Sequence, residues 1–236
     1  MSKKYFSFIF YSGVILVCIL FLPSLFMPKK IVIFGGKILG HWSKFCVKFL
    51  LSTEIRIIGK ENILENQNFF IACTHQSEFE TFYLQSIFNG PKFILKKELI
   101  SIPIFGWYLR KIGSIPVERN KISKEKMNLM DTIKNSSYDN RPIVIFPQGT
   151  RTDPQDRPDF KKGVARIYDE LNISCLPVVI NSGEIWPKTG NLARNKKITI
   201  SILQPIKPGL GNKEFLVSLQ NTMYEVLNKT SNLSSA

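Results

Sequence analysis

The feature that most constrains this chain is an uncharged, strongly apolar run at residues 5–28. The run is longer than the ~20 apolar residues that a helix needs to cross the hydrocarbon core of a bilayer, so it predicts a membrane helix. A cleaved signal peptide is the alternative, but the run is too long for one and no small-x-small cleavage site follows it. Pro23 can kink or end the helix, which leaves a re-entrant insertion open besides a full span.

The segment after this run predicts a basic amphipathic helix. Basic side chains recur at helical spacing, and apolar ones form a neighbouring stripe. The basic stripe is Lys37, His41, Lys44 and Lys48, and the apolar stripe is Ile31, Phe34, Ile38, Trp42, Phe45 and Phe49. Such a helix is typical of the headgroup layer, although an ordinary domain helix with a solvated basic face has the same pattern. We therefore expect residues 1–51 to form a membrane anchor.

The net charge of the chain also favours a membrane as a partner. The 32 Lys and Arg outnumber the 18 Asp and Glu and leave a net charge of +14, which favours an anionic membrane surface or phosphorylated substrates. Nucleic acid is not an expected partner, because the aromatic residues lie in apolar runs rather than among the basic clusters. Positive charge is heavier after the first helix, which predicts a main domain on the cytoplasmic side of the cell (inner) membrane.

Residues 52–236 alternate short β-like runs with helical stretches, the pattern of an α/β domain with a largely parallel sheet flanked by helices. The expected strands begin near residues 54, 69, 92, 114, 141, 175 and 198. Helices are expected over residues 78–88, 121–134, 163–171 and 212–228. Ligands of such sheets usually bind beyond the carboxyl ends of the strands, so the polar residues found there are the candidates for function.

His75 follows the second expected strand in the segment T-H-Q-S-E-F-E. A turn there can bring the Glu80 carboxylate back to the imidazole, where it would fix the tautomer of a general base. The same residues also form a capping box, with Ser77 as the N-cap and Glu80 bonding its backbone amide. His75 would then be an ordinary polar residue at a strand end, and from this segment alone both interpretations stay open.

The loop after the fifth expected strand, F-P-Q-G-T-R, suits a phosphate. Gly149 permits close backbone approach, Thr150 supplies a hydroxyl and Arg151 a guanidinium. Arg119 and Lys97, at other strand ends, are further candidate ligands. Each has an alternative reading as a polar turn or a solvated surface charge.

The cysteines and histidines argue against a metal site. Cys18, Cys46, Cys73 and Cys175 are far apart in apolar stretches, which predicts buried thiols in a reducing compartment. The two histidines belong to no tight ligand cluster, so neither zinc nor iron is expected.

Taken in order, these blocks resemble the bacterial type of the 1-acylglycerol-3-phosphate acyltransferase family. The family's H-x-x-x-x-D corresponds to H-Q-S-E-F-E, and its Lys-x-Leu block with a closing Arg to residues 97–119. Its F-P-E-G-T-R corresponds to F-P-Q-G-T-R, and its apolar block with Pro to residues 176–183. The resemblance covers roughly residues 55–205 and implies the glycerolipid acyltransferase fold.

The resemblance also implies roles for individual residues. His75 would be the general base and Glu80 would stand where the family's Asp orients it, so that Cys73 need not be a nucleophile. The remaining candidates would bind the acceptor: Lys97, Arg119, Gln148, Gly149, Thr150 and Arg151. The sequence departs from the family pattern at two positions. Glu80 in place of Asp keeps the carboxylate and lengthens its reach by one methylene. Gln148 in place of Glu removes a charge near the expected phosphate site, which puts the identity of the acceptor in question more than the catalysis.

The leading hypothesis is therefore acyl transfer from an acyl thioester, either coenzyme A or acyl carrier protein, to the sn-2 hydroxyl of lysophosphatidate. No cofactor is expected. One alternative keeps the chemistry but changes the acceptor to glycerol 3-phosphate or another lysolipid. The alternative from a different class is a membrane-anchored lipid-binding protein without turnover.

Overall fold

The computed structural model describes residues 1–65, 67–118, 123–137 and 141–233. Seven short strands form one mixed sheet in the order β1-β7-β6-β2-β5-β3-β4. The strands are β1 Glu54–Ile58, β2 Phe69–Cys73, β3 Lys92–Lys96, β4 Ile115–Val117, β5 Ile143–Ile145, β6 Ser174–Ile180 and β7 Lys197–Ile202. All seven lie where the sequence predicts them, and the expected α/β class is confirmed.

Strand direction fixes which loops share an edge. β6, β2, β5, β3 and β4 are mutually parallel, so their carboxyl ends reach the same edge of the sheet. The β6–β7 pair is antiparallel, and β1 runs parallel to β7. The two outermost strands on that side therefore run against the rest. The segments after β2, β5 and β6, which are neighbours in the sheet, are brought together at one edge.

Helices cover both faces of the sheet. Their bounds are α1 Lys3–Leu20, α2 Lys29–Phe45, α3 Phe79–Ile87, α4 Lys97–Ile100, α5 Phe105–Ile112, α6 Ser123–Ser137, α7 Gly163–Leu171 and α8 Asn212–Leu233. The helices expected after β2, β4, β5 and β7 are present. The sequence did not predict α4 and α5, which are four and eight residues long and are separated by Pro103. Helices this short carry too few turns to establish a clear apolar period.

The alternation of side chains along β2 divides the core into two layers. Ile71 and Cys73 pack on the side of α1 and α3, whereas Phe70 and Ala72 pack on the side of α7 and α8. This is the two-faced burial expected of a parallel strand in the middle of a sheet. The predicted buried thiols are confirmed, since all four cysteines are free and buried.

The N-terminal helix α1 is part of this core. Its residues Phe6 and Phe10 are fully buried and pack edge-on against Trp186, each with ring centroids 4.9 Å apart. Near its start, the Lys3 ammonium donates to the carbonyls of Pro187, Lys188 and Gly190 at 2.9–3.2 Å. Near its end, the Tyr108 hydroxyl donates to the Cys18 carbonyl at 2.7 Å. The core is thus continuous across residue 51, and the division into an anchor and a domain stays a prediction.

The opposite side of α1 is exposed and apolar. Within the described residues, α1 is the one helix long and apolar enough to cross a membrane, and only 22% of it is buried. Its exposed apolar side chains are Tyr5, Phe8, Tyr11, Ile15, Leu16, Ile19 and Leu20. A 3-10 turn, Leu22–Phe26, with Pro23 at its start, ends the apolar segment and leaves Phe26 95% exposed.

α2 is the predicted amphipathic helix. Trp42 of the predicted apolar stripe packs on α1, where its indole Nε1 donates to the Phe10 carbonyl at 3.0 Å. The rest of the contact uses a face that the sequence did not single out. The helix buries Val32, Gly35, Gly40 and Ser43. A Cβ at Gly40 would lie 2.9 Å from the Phe82 carbonyl oxygen, so only glycine permits α2 to approach α3 this closely. The predicted apolar stripe remains largely exposed, at Ile31, Phe34, Phe45 and Phe49.

The packing of α1 makes a prediction about stability. Phe10→Ala should lower the free energy of unfolding by about 3–5 kcal/mol, because it leaves a cavity between Trp186 and Phe82. The matched control on the same helix is Phe8→Ala, which truncates a side chain that is 71% exposed. It should change the value by less than about 0.5 kcal/mol. Denaturant titration in detergent measures both, and equal effects would contradict a docked α1.

Candidate active site

The candidate site lies at the edge where the carboxyl ends of β2, β5 and β6 meet. His75 is the second residue after β2 and is half-buried. Its imidazole stacks on the ring of Phe146, the first residue after β5, with centroids 4.0 Å apart and planes 16° apart. Phe146 in turn lies against Phe93 of β3 at 6.1 Å. The aromatic rings under the imidazole therefore come from the end of β5, which is next to β2, and from β3, the strand beyond it.

The loop after β5 also bonds the backbone of His75. The Gln148 side-chain oxygen accepts the His75 amide proton at 2.6 Å. The Thr152 amide donates to the His75 carbonyl at 2.9 Å. The two segments that the sequence selected separately, the one containing His75 and F-P-Q-G-T-R, are therefore directly joined.

Glu80, in the first turn of α3, is fully buried, with 0% exposure. Its carboxylate accepts hydrogen bonds from the Ser182 hydroxyl at 2.6 Å, the Gln76 amide at 2.9 Å and the Ser77 amide at 3.1 Å. Burial raises the pKa of Glu80 to about 7, and these three donors act against that rise. The bond to the Ser77 amide is one half of the expected capping box, while an orienting role of Glu80 toward His75 stays a prediction.

One detail of that turn differs from the sequence prediction. Ser77 is not the N-cap, because α3 begins at Phe79 and Glu78 is the N-cap residue. The Ser77 hydroxyl instead accepts the Phe79 amide proton at 3.2 Å, which closes a turn before the helix. This later start leaves both carboxylate oxygens of Glu80 facing the turn.

Two residues that the sequence reasoning missed complete this part of the site. Ser182 follows β6 and bonds Glu80; its place after a strand adjacent to β2 was the available signal. Glu78 accepts from the Arg151 guanidinium at 2.7 Å and from the Tyr11 hydroxyl of α1. The position of Glu78, three residues after His75, was the available signal for that residue. Arg151 is thus held by an acid from α3 that is itself bonded to α1.

The other predicted ligands are distributed along the same edge of the sheet. Gly149 has a φ of +77° in the turn after β5, a conformation that suits glycine, and Thr150 is exposed beside it. Lys97 forms an ion pair with Glu118 at the ends of β3 and β4. Arg119 lies outside the described residues. The structure therefore brings His75, Glu80, Gln148 and Arg151 into one connected group and leaves Lys97 in a separate pair.

Cys73 lies two residues before His75 in the sequence. Cys73 belongs to the core, and burial raises the pKa of its thiol well above the ordinary value, with Glu80 adding to the rise. A thiol in this state is unsuited to act as a nucleophile.

Among the residues that the structure describes, no three His, Cys, Asp or Glu side chains come close enough to hold a metal ion.

The raised pKa of Glu80 makes a prediction about pH. The folded chain keeps a proton on Glu80 between pH 4.5 and about 7 that the unfolded chain loses near 4.5. The stabilising contribution of this group is therefore complete below pH 4.5 and is lost as the pH rises to about 7, by up to about 3 kcal/mol. Glu80→Gln cannot titrate, so the wild type should lose stability relative to this variant across that window. Parallel pH profiles of thermal unfolding would contradict the burial of an ionisable group here.

The sequence is similar to those of known acyltransferases. The family model described as Acyltransferase matches residues 54–181, more than half of the chain. A 1-acyl-sn-glycerol-3-phosphate acyltransferase from Pseudomonas aeruginosa is 29% identical over 160 residues, which cover 65% of this chain and 60% of that protein. One from Saccharomyces cerevisiae is 30% identical over 165 residues, which cover 68% of this chain and 54% of that protein. The chain thus spans less than two thirds of the length of these relatives.

A solved structure agrees on the fold. The 1-acyl-sn-glycerophosphate (LPA) acyltransferase PlsC from Thermotoga maritima superposes with a TM-score of 0.72, with 99% of this chain and 96% of that chain covered at 23% identity. The family resemblance stated from the sequence motifs is confirmed. Since the family model extends over His75, Glu80 and the loop after β5, and over more than half of the sequence, the chain belongs to the acyltransferase family.

Proposed function

We propose that this chain transfers a fatty acyl group from an acyl thioester, either coenzyme A or acyl carrier protein, to the sn-2 hydroxyl of 1-acyl-glycerol-3-phosphate. The product is phosphatidate, and His75 is the general base. The observation that carries the proposal is the direct joining of His75 to the loop that ends in Arg151. A base and a phosphate-binding cation then lie at one edge of the sheet, as an acceptor with a phosphate and a hydroxyl requires.

The chemistry follows from the imidazole. His75 removes the proton from the acceptor hydroxyl as its oxygen forms a bond to the thioester carbonyl carbon, and the π electrons of the carbonyl move onto its oxygen to give a tetrahedral oxyanion. When the tetrahedral intermediate collapses, the carbon–sulfur bond breaks and the imidazolium returns its proton to the departing thiolate. No side chain needs to be acylated, which agrees with the burial of Cys73.

Arg151 is the best-supported ligand for the acceptor phosphate. Its side chain is 31% exposed, and one guanidinium nitrogen, Nη1, donates a hydrogen bond to Glu78. A planar guanidinium has five N–H donors, so the remaining ones stay available for a bidentate contact with an anion. Glu78 fixes the position of the guanidinium and also brings a negative charge next to the expected phosphate.

The exposed apolar side of α1 supports attachment to a membrane. We propose that this is the inner membrane, with the domain on its cytoplasmic face, as the distribution of positive charge in the sequence predicts. We propose that this surface inserts into the lipid while the side containing Phe6 and Phe10 stays on the domain. The apolar side chains Leu99 of α4, Ile102 between α4 and α5, and Trp107 of α5 are exposed as well. Membrane lipids and the lipid acceptor would then be met by the same part of the molecule.

His75→Ala tests the proposed reaction. With labelled acyl thioester and lysophosphatidate in detergent, we expect phosphatidate from the wild type and a rate at least ~100-fold lower from the variant, as for removal of a general base. His41→Ala is the control, because it removes the other histidine, an exposed one on α2, and should retain the activity.

The acceptor is decided in the same assay. A panel of lysophosphatidate, glycerol 3-phosphate and a neutral lysolipid identifies the preferred acceptor. Equal rates for the wild type and His75→Ala would exclude His75 as the base. Binding of lysophosphatidate without product from any acceptor would favour the lipid-binding alternative.

Vesicle flotation tests the membrane surface. The pair Phe8→Ser and Phe26→Ser removes two exposed rings, so binding to anionic vesicles should weaken by at least ~10-fold, given the transfer free energy of each aromatic side chain. Val217→Ser, at an exposed position on α8, is the matched control and should bind as the wild type does. Unchanged binding of the double variant would remove α1 from the proposed membrane surface.

A further inference from the structure

We infer that Gln148 is a positioning residue for His75: its side-chain amide holds the backbone of the histidine rather than the acceptor. The inference rests on the proposed role of His75 as the base. It assigns to Gln148 a different task from the acceptor contact that the family resemblance implies.

The environment of Gln148 leaves its amide little access to a ligand. Its exposure is 2%. Its oxygen accepts the His75 amide proton at 2.6 Å, and its nitrogen donates to the Thr152 hydroxyl at 3.1 Å. Protein groups therefore engage both ends of the amide.

Thr152 extends the same arrangement to the other side of His75. Its amide donates to the His75 carbonyl at 2.9 Å, and its hydroxyl approaches that carbonyl at 3.3 Å. Gln148 thus holds the amide of His75, and Thr152 holds the carbonyl. With the ring of Phe146 under the imidazole at 4.0 Å, one loop constrains both the backbone and the ring.

Such a constraint matters because a general base must remain within hydrogen-bonding reach of the acceptor hydroxyl. A displacement of about 1 Å in a reacting group can lower the rate about 100-fold. Loss of the Gln148 bond would release the amide of His75 and let the turn after β2 shift. The expected effect is therefore on turnover and not on the affinity for the acceptor.

The direction of the hydrogen bonds explains why an amide suits this position. The Thr152 hydroxyl has one proton, and because it accepts from the Gln148 nitrogen, that proton is left for the His75 carbonyl. A carboxylate at position 148 cannot donate. It could still accept from the His75 amide, but the Thr152 hydroxyl would turn toward it and leave the His75 carbonyl. Gln148→Glu should therefore keep one bond to His75 and lose another.

The first measurement is independent of activity. The chain has two histidines, so ring-labelled protein in detergent gives two imidazole Cε1–H signals, which a His75→Asn variant assigns. Gln148→Leu keeps a similar volume and removes both hydrogen bonds, and it should shift the His75 signal while the His41 signal stays. Gln148→Glu and Thr152→Val should produce smaller shifts. Gln155→Leu is the matched control, because the same change at an exposed glutamine should move neither signal.

The second measurement is kinetic. Gln148→Leu should lower kcat by about 10- to 100-fold with KM for lysophosphatidate within about twofold of the wild type, and Gln148→Glu should recover part of the loss. If Gln148→Leu does not fold, as judged by its melting profile, both measurements are made on Gln148→Glu and Thr152→Val instead.

The opposite results overturn the inference. A raised KM with kcat retained, a changed order in the acceptor panel with Gln148→Glu, or an unmoved His75 signal in the folded variants would each mean that Gln148 contacts the acceptor or does nothing for His75. A shifted His75 signal in a protein that forms no product from any acceptor would reject the proposed function and leave the positioning of His75 intact.

Discussion

The hydrogen bonds between the turn after β2 and the loop after β5 are the contacts on which the candidate site depends. They exist because β2 and β5 are parallel neighbours, paired from Phe70↔Ile143 to Ala72↔Ile145, so the two strands end within one residue of each other. His75 is the second residue after β2, and Phe146 is the first residue after β5. The backbone of His75 then completes its hydrogen bonding with the loop instead of with solvent, which a half-buried turn requires.

A second consequence of the fold is that α1, the candidate membrane helix, and the site share one layer of the core. Phe6 and Phe10 of α1 pack on Trp186, which follows the segment that contains Ser182. The exposed side of the same helix carries Tyr11, which bonds Glu78 beside Arg151. A shift of α1 would therefore move the Glu78 carboxylate, which holds Arg151, the expected phosphate ligand. The proposed acceptor is itself a membrane lipid, so this proximity suits its delivery.

Much of the architecture could be predicted from the sequence, because strands and amphipathic helices each give a characteristic spacing of apolar residues along the chain. All seven strands are of this kind, as are α3, α6, α7 and α8. Local pattern failed where packing uses unusual residues. The sequence pointed to the apolar stripe of α2, but the helix docks through small residues such as Gly40, whose close contact with Phe82 no hydrophobic period can reveal.

The sequence by itself determined which groups are available: an imidazole, carboxylates and a guanidinium after apolar strands, behind an uncharged helix. Only the tertiary structure decided their partners. Glu80 faces the amides of its own turn and Ser182, Arg151 faces Glu78, and Gln148 faces the backbone of His75. The reason is physical: each of these contacts except those within the turn joins residues more than 70 positions apart, and the order of strands in the sheet, which periodicity does not encode, brings them together.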